Sequence, residues 1–239
     1  MTHVSLREFV RVLEQSGDLK RVPFPVDPRL EMTDLCRRSL EAGGPALWFE
    51  QPRGTDMPVL GNLFGAPRRV AAALGYDDVK QFREVGETLA LLREPRWPDQ
   101  PRKALSRLPA LLSLLKATPH SVTGPPDYET VQTGADVDLS CLPVWTCWPE
   151  DAGPLITWGL VVTRGTRKSR QNVAPYRQQV LGRNRVIMRW LSQRGGALDF
   201  RDWQREHPGK PFPVVVMMSA DPALLLAATT PIPDSISEY

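Results

Sequence analysis

The chain has 239 residues, a length typical of one large domain or two modest ones. Its hydrophobic content of 41% is enough for a core, and its charged content of 24% is ordinary for a soluble protein. Its net charge of +3 is too small to indicate a nucleic-acid partner, and its basic residues form short clusters without interleaved aromatic residues. No apolar run approaches the roughly 20 residues that a membrane-spanning helix needs.

The cysteines predict a reducing compartment. Cys36, Cys141 and Cys147 are odd in number and lack paired spacing, so we interpret them as free thiols of a cytoplasmic protein and not as a disulfide framework. The histidines are scattered far from the cysteines, which argues against a zinc site. The N-terminus lacks the charged and apolar regions of a secretory signal.

The first half alternates predicted helices and strands. Ser5 and Glu8 form a capping box before an apolar repeat of helical spacing, and Gly17 ends that repeat. Strands are predicted at 19–26, 46–49 and 58–60, and helices from Asp27-Pro28, over 67–74, and from Asp77 or Asp78 to Arg93. This alternation predicts an α/β domain.

A break follows at 93–102, and a helix is predicted over 103–116. Its run LPALLSLL would pack on a core or touch a membrane surface, and we favour the core. The segment ATPHSVTGPP, residues 117–126, has the composition of a linker. We therefore predict an N-terminal domain over 1–116 and a second domain over 127–239.

Beyond the linker the apolar period changes toward two. Strands are predicted at 130–132, 155–163, 172–180, 186–191 and 213–219, with one helix at 221–228. A cluster of strands with little helix favours a β-barrel or a sandwich, so the chain as a whole is predicted to be α+β.

The stretch RQNVAPYRQQ, residues 170–179, carries the most unusual polar pattern. In a continuous strand Arg177 shares a face with Val173, so we expect a buried guanidinium that needs either a structural carboxylate or an anionic ligand. Pro175 has no backbone N–H, so the ladder should be interrupted there.

Two other segments are weaker candidates. RGTRKSR, residues 164–170, is either a solvated hairpin tip or an anion-attracting loop. MRWLSQRGGALD, residues 188–199, sets arginines beside two glycines, which is typical of a phosphate contact or of a plain turn. Asn172 and Glu238 supply oxygen ligands of the kind that Mg²⁺ or Mn²⁺ accepts, although their separation in sequence leaves open whether they meet.

Four segments in this order closely resemble the UbiD decarboxylase family: TCWPEDAGPLITWGLVVTRG, RQNVAPYRQQVLGRN, RWLSQRGGALD and TPIPDSISEY. The N-terminal segments LREFVRVLEQSGDLKRV, GGPALWFEQPRG and MPVLGNLFG fit the same family, so the resemblance covers essentially the whole chain. It implies an α/β domain followed by a split β-barrel of the flavin-reductase type. It also implies prenylated FMN as cofactor, with its phosphate bridged to the protein through Mn²⁺ and K⁺.

The resemblance also assigns residues. Asn172 and Glu238 would bind the metal, and Arg177 would act in catalysis, either by holding the substrate carboxylate or by tuning the partner carboxylates. The residues that would line the cofactor are Thr157, Pro175, Tyr176, Arg177, Arg189, Trp190, Leu191, Arg194 and Gly195.

This sequence departs from the family pattern at three positions. Ala174 and Pro175 replace a glycine and an aliphatic residue, and Gln193 replaces a histidine that often precedes the RGG. A backbone donor is therefore lost at 175. A glutamine oxygen is the substitute that this chain offers for the histidine.

The implied reaction is the non-oxidative decarboxylation of a 4-hydroxy-3-polyprenylbenzoate in ubiquinone biosynthesis, with a flavin prenyltransferase as cofactor supplier. Other aromatic or acrylic acids, or a non-catalytic flavin-binding or anion-binding module, remain alternatives. A polyprenylated substrate implies peripheral contact with the inner face of the cell membrane. Family enzymes extend well beyond this length, and their proton-donating carboxylates and oligomerising domain, which forms hexamers, follow the matching region. We therefore expect an N-terminal portion that turns over little substrate by itself.

Overall fold

The computed structural model describes residues 5–93, 130–230, 232 and 237. The first range contains α1 (Leu6–Gln15), β1 (Leu19–Val22), α2 (Glu31–Glu41), β2 (Ala46–Phe49), β3 (Val59–Gly61), α3 (Pro67–Ala73) and α4 (Phe82–Arg93). The second contains β4 (Leu155–Ile156), β5 (Leu160–Thr163), β6 (Asn172–Pro175), β7 (Gln178–Gly182), β8 (Arg185–Met188), α5 (Gly195–Glu206), β9 (Val215–Met217) and α6 (Pro222–Ala227). Short 3-10 turns occur at Val79–Gln81, Gly134–Asp136 and Leu139–Cys141.

The first sheet is covered on both faces. Its order is β1-β2-β3, with β1 and β2 parallel and β2 and β3 antiparallel. Phe9 and Leu13 of α1 pack on one face with Leu19 and Ala46. The other face is covered by a second cluster, which comprises Val22, Val26, Met32, Leu47, Phe49 and Val59. Full burial of a side chain such as Phe9 stabilises the fold by about 1.5–3 kcal/mol, so these clusters hold the helices on the sheet. The alternation of helices and strands predicted here is confirmed.

Local signals set the ends of most helices in this part. The Ser5 hydroxyl accepts the N–H of Glu8 at 3.2 Å and caps α1, and Gly17 follows the helix with φ 74°. Pro67 opens α3, and Gly75 follows it with φ 77°. Asp78 caps the 3-10 turn that leads into α4. These starts and stops agree with the sequence prediction.

The second helix begins later than predicted. The Glu31 carboxylate accepts the N–H of Asp27 at 2.7 Å, and Leu30 has φ 70°, so a turn precedes α2. The N–H of Leu30 donates to the carbonyl of Thr146 at 2.9 Å. This long-range contact holds residues 27–30 outside the helix, which a local pattern does not reveal.

The second described range forms two separate three-stranded sheets, β4-β7-β8 and β6-β5-β9, in which neighbouring strands are antiparallel. The predicted strand 155–163 is divided into β4 and β5, and the predicted strand 172–180 is divided into β6 and β7. The second break falls directly after Pro175, as its missing N–H predicts. The strand predicted at 130–132 is wrong, because those residues have no regular structure.

The expectation of little helix in this part is also wrong. Residues 195–206 form α5, a helix of 12 residues that opens with two glycines and has no side-chain cap at Arg194. The glycine pair at 195–196 is typical of a turn, so the sequence does not reveal that a helix starts there. The predicted helix at 221–228 is confirmed as α6, with Asp221 as its cap.

The two described ranges share a core. Leu63 and Phe64 pack against a cluster formed by Leu160, Val173, Ala220, Leu225 and Ala228. The rings of Phe64 and Trp158 meet edge to face at 6.3 Å. The helix predicted at 103–116 and the linker at 117–126 lie outside the described residues. None of the described helices has the length and apolar character to cross a membrane.

Candidate functional site

Asn172 lies at the start of β6, opposite Thr163 of β5, and is only 6% exposed. Its side-chain Nδ2 donates to the Thr163 hydroxyl at 3.2 Å. Its Oδ1 faces the other way, toward the first residue of α5, because a Cβ on Gly195 would overlap that oxygen. The amide therefore presents its oxygen at the N-terminus of a helix.

The first turn of α5 is suited to an anion. The first backbone N–H groups of a helix have no partner within it, and the helix dipole makes that end positive. Arg194, the N-cap residue, makes no side-chain capping hydrogen bond, whereas the Tyr176 hydroxyl accepts the N–H of Gly196 at 3.1 Å. A phosphate and a cation that binds it would therefore find N–H donors and an amide oxygen side by side.

A buried ionic cluster lies behind Asn172. The Thr163 hydroxyl donates to Asp199 Oδ2 at 2.8 Å, and Arg170 Nη1 donates to the same oxygen at 2.9 Å. Lys168 Nζ lies 3.1 Å from Asp199 Oδ1. The Asp199 side chain is fully buried, as expected for a carboxylate paired with two cations. The basic loop 164–170 is thus partly structural, since two of its cations hold this carboxylate.

Tyr176 and Trp190 come together over the same turn of α5. The Tyr176 hydroxyl accepts the N–H of Gly196 at 3.1 Å, and the two rings meet edge to face at 6.0 Å. Gly196 lets the rings approach, because a Cβ there would lie 3.1 Å from the Trp190 ring. The indole Nε1 of Trp190 is buried without a hydrogen-bond partner among the described residues. On its other side Trp190 contacts Phe200 and Phe212.

One end of the sheet β4-β7-β8 carries Thr157, Arg177 and Arg189. Ile156 pairs with Gln178, and Gln178 pairs with Met188, so the next residues beyond these pairs are Thr157, Arg177 and Arg189. All three are exposed.

The predicted burial of Arg177 is wrong. The strand breaks at Tyr176–Arg177, so the alternation of faces does not continue through it. Arg170 carries the buried guanidinium in this region, with 8% exposure. The catalytic role assigned to Arg177 stays a prediction.

The other predicted residues take intermediate or exposed positions. Pro175 is half-buried opposite Leu160, while Arg194 is exposed and Leu191 is 43% exposed. Gln193 is exposed, and its side-chain oxygen accepts the Ser192 hydroxyl at 3.4 Å.

Glu238 lies outside the described residues, but Ser237 is described. The N–H of Gln171 donates to the Ser237 hydroxyl at 3.1 Å, and that hydroxyl donates to the Gln171 carbonyl at 2.9 Å. The residue next to Glu238 is thus bound to the residue next to Asn172. The metal-binding roles assigned to Asn172 and Glu238 stay predictions.

The donor set fits a hard cation. An amide oxygen from Asn172 and a carboxylate from Glu238 are ligands that Mn²⁺ and Mg²⁺ accept. In the part of the chain that the structure describes, no group of three His, Cys, Asp or Glu side chains forms a metal cluster.

Sequence reasoning missed two residues of this site, Thr163 and Asp199, and it noted the glycine pair without the contacts of Gly196 with Tyr176 and Trp190. Asp199 stands at the end of the quoted RGGALD segment, four residues after Gly195, and would share a helix face with it. A correct prediction of α5 would have brought it to attention.

A cleft of about 550 Å³ lies beside this site. Its lining includes Thr163, Arg164, Gln171, Trp203 and His207. Of the residues predicted to bind metal or cofactor, those that the structure describes do not line it. Thr163 and Gln171, the neighbours of Asn172 in space and in sequence, lie on the cleft wall.

The fold as a whole is that of UbiD-class enzymes. The UbiD-class enzyme HmfF from Pelotomaculum thermopropionicum, in an evolved dimeric form with prFMN, is 28% identical and superposes with a TM-score of 0.79 over 99% of this chain and 49% of its own. The vanillic acid decarboxylase of Sedimentibacter hydroxybenzoicus is 28% identical, with a TM-score of 0.79 over 100% of this chain and 48% of its own. The apo 3,4-dihydroxybenzoic acid decarboxylase of Klebsiella pneumoniae, 21% identical with a TM-score of 0.68 over 96% of this chain and 45% of its own, shares the fold.

Two family domains match the sequence. Residues 120–239, just over half of the chain, match the 3-octaprenyl-4-hydroxybenzoate carboxy-lyase Rift-related domain. Residues 10–89 match the 3-octaprenyl-4-hydroxybenzoate carboxy-lyase N-terminal domain. The chain belongs to the UbiD family. It spans about half the length of the structures that it matches.

Proposed function

We propose that this chain is the flavin-binding portion of a prenylated-FMN-dependent decarboxylase. The observation that carries the proposal is the orientation of Asn172, whose Oδ1 faces the glycine start of α5 while Ser237 binds its neighbour Gln171. The described sheets β4-β7-β8 and β6-β5-β9 are interpreted as parts of a split β-barrel over residues 127–239, following an α/β domain over 1–116.

In this proposal Asn172 and Glu238 would bind Mn²⁺, and the positive N-terminal end of α5, where Tyr176 already accepts the N–H of Gly196, would bind the cofactor phosphate together with K⁺. Tyr176 and Trp190, whose rings meet beside Gly196, would line the flavin site. The remaining cofactor contacts come from Thr157, Pro175, Arg177, Arg189, Leu191, Arg194 and Gly195. When bound, the prenylated flavin supplies the electron sink that decarboxylation of an aromatic acid needs.

The exposed sheet end with Arg177 and Arg189 would receive the acid substrate. A guanidinium keeps its charge and binds a carboxylate in a bidentate manner, so Arg177 would orient the group that leaves as CO₂. The substrate we propose is a 4-hydroxy-3-polyprenylbenzoate of ubiquinone biosynthesis, because both family domains carry the name of such a carboxy-lyase.

A smaller aromatic acid is the second candidate, favoured by the vanillic and 3,4-dihydroxybenzoic acid decarboxylases that share the fold. A panel of benzoates with and without a polyprenyl tail, assayed for CO₂ release with the product of the complete reading frame, separates the two. Absence of CO₂ release from every acid, in protein that carries the prenylated flavin, would favour a non-catalytic flavin-binding module.

The cofactor proposal is tested in the 239-residue chain. After co-expression with a flavin prenyltransferase, we expect bound flavin by absorbance and bound manganese by elemental analysis. N172A should weaken Mn²⁺ binding at least about 100-fold, since loss of even an outer-shell partner typically costs 10–100-fold. N184A, at the exposed turn between β7 and β8, is the matched control and should bind as the wild type does. Equal manganese content in N172A and wild type would contradict the metal assignment.

A further inference from the structure

We propose that Thr163 and Asp199 are positioning residues that fix the orientation of the Asn172 amide, so that its oxygen faces the metal. The inference rests on the proposed function, because it assigns a purpose to that oxygen. Neither residue was identified from the sequence, and both lie behind Asn172 on the side away from α5's first residue.

Hydrogen-bond direction carries the argument. A carboxylate held by Arg170 and Lys168 offers only acceptors, so the Thr163 hydroxyl must donate its single proton to Asp199. The Thr163 oxygen then has only lone pairs left for Asn172, and it accepts from the Nδ2 group. The opposite amide orientation would set the Asn172 oxygen against an oxygen that has no proton to share.

Burial makes this arrangement rigid. Thr163 is 2% exposed and Asp199 is fully buried, so water does not readily replace either partner. Thr163 is β-branched and pairs with Asn172 across β5 and β6, which restricts its side chain to few rotamers.

The same helix acts on the amide from both sides. Gly195, the first residue of α5, lies against Asn172 Oδ1, and Asp199, four residues further along, sets the direction of the Thr163 hydroxyl. The helix that would bind the cofactor phosphate thus also determines which atom of Asn172 meets the metal. Formation of α5 and formation of the metal site are coupled.

The test compares hydroxyl-free and hydroxyl-bearing variants at one position. T163V and T163A remove the donor, whereas T163S keeps it. Mn²⁺ is titrated into each FMN-loaded chain, and thermal unfolding is followed in parallel. We expect T163V and T163A to bind Mn²⁺ about 10–100-fold more weakly, because loss of a residue that hydrogen-bonds to a metal ligand typically has this effect. T163S keeps the hydroxyl, and its Mn²⁺ affinity should stay within about threefold of wild type.

The outcomes separate the two proposals. If the wild-type chain binds no Mn²⁺, the proposed function fails and the inference fails with it. If wild type binds and the hydroxyl-free variants bind equally well, only the positioning role is overturned. A loss of thermal stability shared by T163S and T163V, with equal loss of Mn²⁺ affinity, indicates a purely structural role and also overturns it.

A second measurement uses only the wild-type chain, so it tests the inference even if the variants at position 163 fail to fold. In the wild-type chain the side-chain amide protons of Asn172 should exchange slowly with solvent and show a nuclear Overhauser contact to the Thr163 methyl group. The exposed Asn184 amide is the reference for fast exchange. Exchange of the Asn172 protons at the Asn184 rate would show that the amide is not held, and the inference would be wrong.

Discussion

The thiol of Cys36 on α2 is half-buried against the first sheet. A Cβ on Gly61 of β3 would overlap its sulfur, so only glycine allows this approach. Burial, with a smaller contribution from the neighbouring Cys147 thiol, raises the pKa of Cys36 from the ordinary 9.0 to about 12. The thiol is therefore a neutral core group over the physiological range.

This pKa shift predicts a pH dependence of stability. A folded pKa above the unfolded one means that the native state holds the proton longer, so stability is fully present below pH 9 and declines as pH rises toward 12. The difference in unfolding free energy between wild type and C36A should shrink above pH 9, by at most about 1.4 kcal/mol per pH unit. Denaturant unfolding at pH 8, 9.5 and 10.5 measures it, and a difference that stays constant would contradict the shift.

The burial of Arg170 and the exposure of Arg177 show which properties of a single residue can be predicted from the sequence. The sequence predicts a buried guanidinium in RQNVAPYRQQ, and one exists, but at Arg170. Assigning the face of Arg177 required a continuous strand, whereas Pro175 ends β6 and a corner follows. The partner Asp199 comes from a helix 29 residues away, which no local pattern connects to the arginine.

Gly195 is both the first residue of α5 and the residue against which the Asn172 oxygen packs. Replacing glycine by alanine inside a helix ordinarily stabilises by about 0.5–1 kcal/mol. G195A should instead destabilise or displace Asn172, because its Cβ would overlap Oδ1. We expect Mn²⁺ affinity to fall at least about tenfold, as for the loss of an outer-shell partner.

G182A in β7 is the control, since nothing lies within 4 Å of a Cβ at that position. Metal titration and thermal unfolding of both variants provide the comparison. Unchanged Mn²⁺ affinity in G195A would mean that the Asn172 oxygen is not the atom that meets the metal.

At the level of elements, the sequence predicts well where the signals are local. The cap at Ser5, the proline at the start of α3 and the glycines after both helices are short-range features, and the structure agrees with them. The start of α2 depends on the carbonyl of Thr146, more than a hundred residues away, and α5 depends on glycines selected for close packing against Asn172 and Trp190. Tertiary contacts override propensity in both cases.

For the molecule as a whole, Phe64 connects the two described ranges. It packs against the cluster around Leu160 and Val173 and against the ring of Trp158. F64A should lower the unfolding free energy by roughly 1.5–3 kcal/mol, below the 3–5 kcal/mol of a fully buried phenylalanine because Phe64 is only half-buried. F24A removes a ring that is 57% exposed and should cost much less.

Because this ring belongs to a shared core, the loss should appear in one unfolding transition of both parts. Native-state hydrogen exchange in α5 reports the second part, and exchange in α1 reports the first. Destabilisation confined to α5 would indicate that the two parts unfold independently.

The corner at Tyr176–Arg177 passes the chain from the sheet β6-β5-β9 to the sheet β4-β7-β8. Asn172 precedes the corner, while Arg177 and, through the register of β8, Arg189 belong to the sheet that follows it. The amide and these two arginines therefore belong to different hydrogen-bonded sheets, so that substitutions in β7 or β8 can alter the surface around Arg177 and Arg189 without altering the strand that carries Asn172. Under the proposed function, residues that would receive the acid could then change while the residue that would bind the metal stays as it is.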